Sequence, residues 1–189
     1  MLPIKVLNLG CGRSPLKSTD AVEYTNLDMV KHPLIQKWNI MKFPYPLARA
    51  SFDKCYFFHC IEHIPENYHK AVLTEVWNVL KPNGRLFISY PEFKKIAMNY
   101  IQNTGGQRDF WKATIYGRGT TEWDRHKALM DTTYFEITLR EVGFKLISAK
   151  PEKTEIYNTV VIVDKVEPLV TYEQMLGTEY ALDPNASSS

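Results

Sequence analysis

Only six residues, 150–155, separate the last two strand-like runs of this chain, 144–149 and 156–164. A parallel crossover needs a dozen or more residues, so these two runs are expected to pair antiparallel. The earlier runs, Ile4–Leu9, 24–28, 34–40, 54–59 and 84–90, are short and apolar. Runs of that kind suit strands buried on both faces, as in parallel sheets.

Between the fourth and fifth runs the period changes. Pro65 stands at a first-turn position, and Val72, Val76, Val79 and Leu80 fall on one helical face with Leu73 beside them. Pro82-Asn83-Gly84 is expected to stop this helix. A second helix is expected near Thr133, which has capping-box spacing to Glu136. Phe135, Leu139 and Val142 form its stripe and Gly143 ends it. Strands alternating with helices imply crossovers on a parallel sheet. The expected fold is α/β: a mostly parallel seven-stranded sheet with an antiparallel last strand.

Two early connections are too short for full helices. Eleven residues lie between Gly12 and Tyr24, with Pro15 among them, and Pro33 interrupts the link to the third run. Helices are therefore expected to be reduced on the N-terminal side, which exposes sheet edge for a homodimer contact. Residues 91–130 form the longest connection. They are aromatic-rich and carry one expected amphipathic helix with Phe93, Ile96, Ala97, Tyr100 and Ile101 on one face, followed by Gly105-Gly106. An insertion after the fifth strand lies over the carboxyl edge of the sheet, where ligands bind in open α/β folds. It is read as a lid, hinged at Gly105-Gly106 and at Gly117 and Gly119, within a single domain, 1–176. Residues 177–189 lose periodicity and end in Ser-Ser-Ser, as a flexible tail would.

Composition narrows the partners. With 44% hydrophobic and 23% charged residues in 189, the chain reads as globular. Its net charge of +2 is scattered, and the one tight basic pair, Lys94-Lys95, is too small a footprint for nucleic acid. No apolar run approaches a membrane span, and the N-terminus runs straight into a strand pattern, so no signal peptide is expected. Cys11, Cys55 and Cys60 are odd in number and lie in apolar surroundings, which suits reduced thiols in the cytoplasm.

Four features carry chemistry. Gly10-Cys11-Gly12 ends the first strand; a Gly-x-Gly turn lets a ligand approach the backbone, although it also serves as a plain tight turn. Position 15 is proline, so this is not the dinucleotide fingerprint. Asp28, sixteen residues after Gly12, ends the second strand. It is placed to accept hydrogen bonds from both hydroxyls of a ribose, or is a surface turn acid. Asn39-Ile40 offers an amide donor and acceptor suited to an adenine edge, or a turn Asn. His59-Cys60-Ile61-Glu62-His63 ends the fourth strand; the set is considered for zinc and set aside, because no second ligand cluster stands elsewhere in the sequence.

In order, Leu7-Asn8-Leu9-Gly10-Cys11-Gly12, Asn26-Leu27-Asp28, Ser51-Phe52-Asp53, His59 with Ile61-Glu62-His63, and Leu80-Lys81-Pro82-Asn83-Gly84 resemble successive motifs of the class I S-adenosylmethionine (SAM)-dependent methyltransferases, over about residues 4–165. The likeness is greatest to a small bacterial type 11 subgroup, whose late pattern corresponds here to Gly117 or Gly119, His126-Lys127 and Gly143-Phe144. The resemblance implies a Rossmann-like fold and SAM as cofactor, with S-adenosylhomocysteine as product. It implies that Asn8, Gly10, Cys11 and Gly12 lie along the methionine and ribose of SAM, that Asp28 holds the ribose, and that Asn39 and Ile40 face adenine. His59 would place its backbone near the methionine amino group, and Glu62 and His63 would border the methyl-transfer pocket. Asn8 and Asn39 stand where the wider class carries acids.

Methyl transfer is an in-line displacement in which positioning supplies much of the catalysis. Where the acceptor must lose a proton, His63 and His126 are the candidate bases, each also readable as a structural or surface histidine. Tyr90, Trp111, Tyr116 and Trp123 are candidate walls of an acceptor pocket. The resemblance, with a short aromatic lid and no basic groove, implies a small-molecule or sugar-type acceptor, methylated on oxygen or nitrogen. The competing reading is a SAM or adenine-nucleoside binding module acting through protein partners.

Overall fold

The computed structural model describes residues 2–102 and 107–166. Strands β1 (Ile4–Leu9), β2 (Val22–Asp28), β3 (Ile35–Lys37), β4 (Phe52–Phe58), β5 (Leu80–Pro91), β6 (Phe144–Pro151) and β7 (Asn158–Lys165) form one sheet in the order β3-β2-β1-β4-β5-β7-β6. The first five are mutually parallel, and β7 runs antiparallel to both β5 and β6. This is a mostly parallel, Rossmann-like sheet, with the short 152–157 link placing β7 back between β5 and β6. Helices α1 (Glu66–Val79), α2 (Phe93–Gln102), α3 (Arg108–Tyr116) and α4 (Thr132–Val142) complete the described residues.

Period-two alternation sorts the sheet into two faces. Leu7, Leu9, Cys55, Phe57, Leu86, Ile88, Val161 and Val163 are buried, and they join one core with Val72, Leu73, Val76 and Val79 of α1 and Phe135, Leu139 and Val142 of α4. Each fully buried aliphatic side chain contributes about 1.5–3 kcal/mol over its exposed state. The other face is barer. Tyr24, Tyr56, Phe58 and Phe87 pack ring to ring across β2, β4 and β5, with Phe58 42% exposed.

No helix joins β1 to β2, β2 to β3 or β3 to β4. Side-chain amides hold these loops instead. Asn26, buried, donates to the carbonyls of Leu16 (2.9 Å) and Leu34 (3.1 Å) and accepts from the backbone N–H of Leu16 (2.8 Å) and the Asn8 amide (2.9 Å). One amide thus satisfies backbone groups that a helix would otherwise satisfy internally.

Several local expectations are corrected. β3 is shorter than 34–40. α1 stops at Val79, before Pro82-Asn83-Gly84, because the residue preceding a proline disfavours helix and Pro82 has no N–H for the Asn78 carbonyl. The Asn78 and Val79 carbonyls take the N–H groups of Ala50 (2.9 Å) and Ser51 (2.8 Å) instead. Leu80 already pairs with Phe52, and residues 81–84 bulge before Arg85 pairs with Lys54. α4 is capped by Asp131, whose carboxylate accepts from Thr133 N–H at 2.9 Å, and not by Thr133. The insertion holds two helices where one was expected, and on α2 only Ile96 is buried; Ile101 is 73% exposed. Gly105-Gly106 and the tail expected over 177–189 lie outside the described residues.

Candidate active site

The carboxyl ends of β1, β2 and β4 open into a cavity of about 500 Å³. Gly10, Gly12, Asp28, Asn39, Ile40, His59 and His63 line it, with Cys60 of the His59–His63 motif, Trp123, and Trp38 and Met41, the last two not singled out by the sequence motifs. Asn8, Cys11 and Glu62 are not in its wall. The Asn8 amide is turned to Asn26, tying β1 to β2 behind the turn.

At one end, parallel register sets Asn8 beside Asn26 and Leu9 beside Leu27, so the turn after β1 meets the end of β2. Asp28 Oδ2 accepts the Gly12 N–H at 2.8 Å, and Oδ1 accepts the Val30 N–H at 3.0 Å. Gly10 has φ +65°, and a Cβ there would fall 2.2 Å from Cys60 Sγ, so only glycine fits where β1 passes the end of β4. Burial, helped by the Asp28 charge, pushes the Cys11 thiol up to about 11, and burial keeps Cys60 protonated as well, so neither is a ready nucleophile. Asn39 spends its side-chain oxygen on the Met41 N–H (2.9 Å) and so folds its own turn at the cavity wall. Ile40 is anchored by its carbonyl, which accepts from the Tyr45 hydroxyl at 2.9 Å.

The other end begins at His59, a non-glycine residue at φ +48° whose N–H donates to the Ser89 carbonyl at 3.0 Å. Its ring lies between two carboxylates, Nδ1 3.7 Å from Glu62 Oε1 and Nε2 3.4 Å from Glu152 Oε2. The Glu62 carboxylate beside it, against desolvation, holds its pKa above the ordinary imidazole value. A single 3-10 turn, Ile61–His63, follows. His69 on α1 braces it, with Nε2 3.1 Å from the Ile61 carbonyl and 3.0 Å from that of Ile64.

The insertion docks on that turn through its backbone. The Glu62 carbonyl accepts the N–H groups of Lys127 (2.7 Å) and Ala128 (3.1 Å), and His63 Nδ1 lies 3.0 Å from the Arg125 carbonyl. This brings His126 against His63, ring centroids 4.9 Å apart at 69°. Burial holds His126 below the ordinary imidazole range. Gly117, expected as a hinge, passes close to the Asp124 backbone. A Cβ there would fall 2.0 Å from the Asp124 carbonyl oxygen. Of the four aromatics expected around an acceptor, Trp123 lines the cavity and Tyr116 is 70% exposed. Tyr90 is core, its hydroxyl 3.0 Å from Thr132 Oγ1, and Trp111 packs edge-on against Phe110 and Tyr157.

Residues 7–88 match the family model for a methyltransferase domain. No curated protein matches significantly. Among solved structures, a 1,6-didemethyltoxoflavin N1-methyltransferase from Burkholderia thailandensis, with its substrate and S-adenosylhomocysteine bound, has a TM-score of 0.60 at 18% identity, over 87% of this chain and 72% of that one. A SAM-dependent methyltransferase from Methanosarcina mazei gives 0.61 at 15% identity, over 88% and 94%. The [4+2]-cyclase SpnF gives 0.58 at 12% identity, over 87% and 75%. The domain match thus spans residues 7–88, and the sheet has the fold of these methyltransferase structures.

Proposed function

We propose that this protein transfers the methyl group of SAM to an oxygen or nitrogen of a small-molecule or sugar-type acceptor held between the cavity and the His63–His126 pair. The observation that carries this reading is the single cavity bounded by the Gly10–Gly12 turn and Asp28 at one end and by His63 at the other. Its volume lies within the range of small-ligand sites. When bound, SAM supplies a methyl carbon already activated by a sulfonium.

In this reading the Gly10–Gly12 backbone admits the ligand closely, and Asp28, while ordering the Gly12 N–H, turns its remaining acceptor capacity to the ribose hydroxyls. Asn39, Ile40 and Trp38 flank the adenine. The His59 carboxylate bridges place its backbone for the methionine amino group. His63 and His126 face the acceptor, where an imidazole lone pair takes the proton that an attacking hydroxyl or amine gives up. Residues 91–130 cover the acceptor side and exclude water.

Calorimetric titration with SAM, S-adenosylhomocysteine and NAD tests the cofactor half. Micromolar binding of the first two and none of NAD is expected. No heat and no thermal shift with SAM or its product would overturn the reading. Labelled SAM incubated with metabolite extracts tests transfer: a labelled product is expected, whereas SAM binding without label transfer would instead support a binding module acting through protein partners.

A further inference from the structure

We infer that Glu62, His63 and His126 form a site for one divalent transition cation, with open coordination positions toward the acceptor. The three side chains each bring a ligand atom to within 4.8 Å of the others. Two further observations point to a ligand there. Glu62 is 2% exposed, and its Oε2 has no hydrogen-bond partner, while Oε1 faces His59 Nδ1 at 3.7 Å. A buried carboxylate oxygen left without a partner is costly, and a cation supplies one.

The second observation is the orientation of the His63 ring. A carbonyl can only accept, so in neutral His63 the nitrogen 3.0 Å from the Arg125 carbonyl, Nδ1, carries the hydrogen and Nε2 keeps the lone pair. Imidazoles that ligate metals characteristically donate their other N–H to a backbone carbonyl or carboxylate. Glu62 and His126 also line a small space of about 10 Å³, roughly one water or ion in size, while His63 lines the large cavity. The cluster therefore borders both spaces.

Two imidazoles and one carboxylate suit Zn²⁺, Co²⁺, Ni²⁺ or Fe²⁺ better than Mg²⁺ or Ca²⁺, whose preference is for oxygen. Three protein ligands leave positions open, the pattern of a catalytic rather than a closed structural site. With the cation bound, the imidazoles serve as ligands and activation of the acceptor passes to the metal. An acceptor hydroxyl on an open position becomes more acidic and loses its proton to solvent water. Its oxygen lone pair then forms the bond to the methyl carbon while the carbon–sulfur bond breaks, its electron pair going to sulfur to leave a neutral thioether. This step rests on the methyl-transfer reading and narrows it to hydroxyl acceptors; cation binding itself does not depend on it.

The test uses the full chain, without an affinity tag, freed of metal by chelator and dialysis. It is titrated with Co²⁺, followed by its visible d–d absorption, and with Zn²⁺ by calorimetry. One equivalent is expected to bind, and Glu62→Gln and His126→Gln are each expected to weaken it at least about tenfold. His32→Gln, at an exposed histidine outside the cluster, should bind as the parent does. A metal-free protein that takes up no Co²⁺, or Co²⁺ binding that survives unchanged in both cluster variants, overturns the site. Glu62→Gln removes a buried charge, so thermal melts accompany each variant, and His126→Gln carries the test if Glu62→Gln does not fold. SAM calorimetry on metal-free protein is read separately: its failure sinks the methyl-transfer reading, and failure of Co²⁺ binding sinks this one.

Discussion

The two ends of the large cavity are assembled by different means. At the proposed cofactor end, Asp28 and Gly12 are sixteen residues apart and meet because β1 and β2 are neighbours in register. At the proposed acceptor end, His63 and the Arg125 carbonyl are 62 residues apart and meet only because the insertion lays its backbone on the Ile61–His63 turn. Sheet pairing positions the first set without further instruction. The second set depends on a docking interface that can change without disturbing the sheet. The two ends should therefore respond separately to mutation.

The largest separation is expected from two glycines. Gly10→Ala puts a Cβ 2.2 Å from Cys60 Sγ at φ +65°. Left-handed strain and overpacking together are expected to cost about 2–5 kcal/mol of stability in a denaturant melt. Gly117→Ala collides with the Asp124 carbonyl instead, and is expected to lose turnover while SAM affinity and the sheet survive. Equal loss of SAM binding in both variants would break the comparison.

Next comes His126→Ala. Turnover, measured as S-adenosylhomocysteine formed with an acceptor from the extract screen, is expected to fall about 10²-fold or more, with SAM affinity nearly unchanged. Undiminished turnover would remove His126 from the acceptor end; matched loss of SAM affinity would move it to the cofactor end. Asp28→Ala is the reciprocal test. It is expected to weaken SAM by about 1.5–3 kcal/mol, the scale of hydrogen bonds to a charged group. If calorimetry shows full affinity in a variant that folds poorly, Asp28 serves the turn alone.

The smallest effect concerns the turn between the ends. Burial lowers the pKa of His69 below 6.5 in the folded protein. The unfolded chain then binds more protons as pH falls, so this histidine's contribution is present above about 6.5 and is lost as pH drops toward the folded value. The slope is at most about 1.4 kcal/mol per pH unit. His59 is shifted the other way and is present in both proteins, so the reading is the difference between parent and His69→Gln. The parent's melting temperature is expected to fall more steeply below pH 6.5; parallel curves would show that His69 does not charge before the turn unfolds.

What the sequence determined by itself was whatever rests on neighbours in the chain or on strand period. The apolar runs gave the parallel strands, the 150–155 link gave the antiparallel return, and the short early connections gave a flank without helices, because chain length limits which pairings can close. Gly10, Gly12 and Asp28 were legible for the same reason: residues at the ends of adjacent parallel strands share an edge wherever the register falls. Tertiary structure decided the rest. Asn8 shows the simplest case, since its amide serves Asn26 and a sequence cannot say which of two available partners a side chain takes. α1 ends before Pro82, and its last carbonyls take the N–H groups of Ala50 and Ser51 from another part of the chain. The zinc reading was set aside at His59–His63 because no second ligand cluster stands elsewhere in the sequence. The fold brings His126 there from 63 residues away, through hydrogen bonds to the Glu62 carbonyl that any side chain at Lys127 or Ala128 would allow. Backbone contacts of that kind leave no residue-type signature, so the acceptor end could be recognised only once the chain was folded.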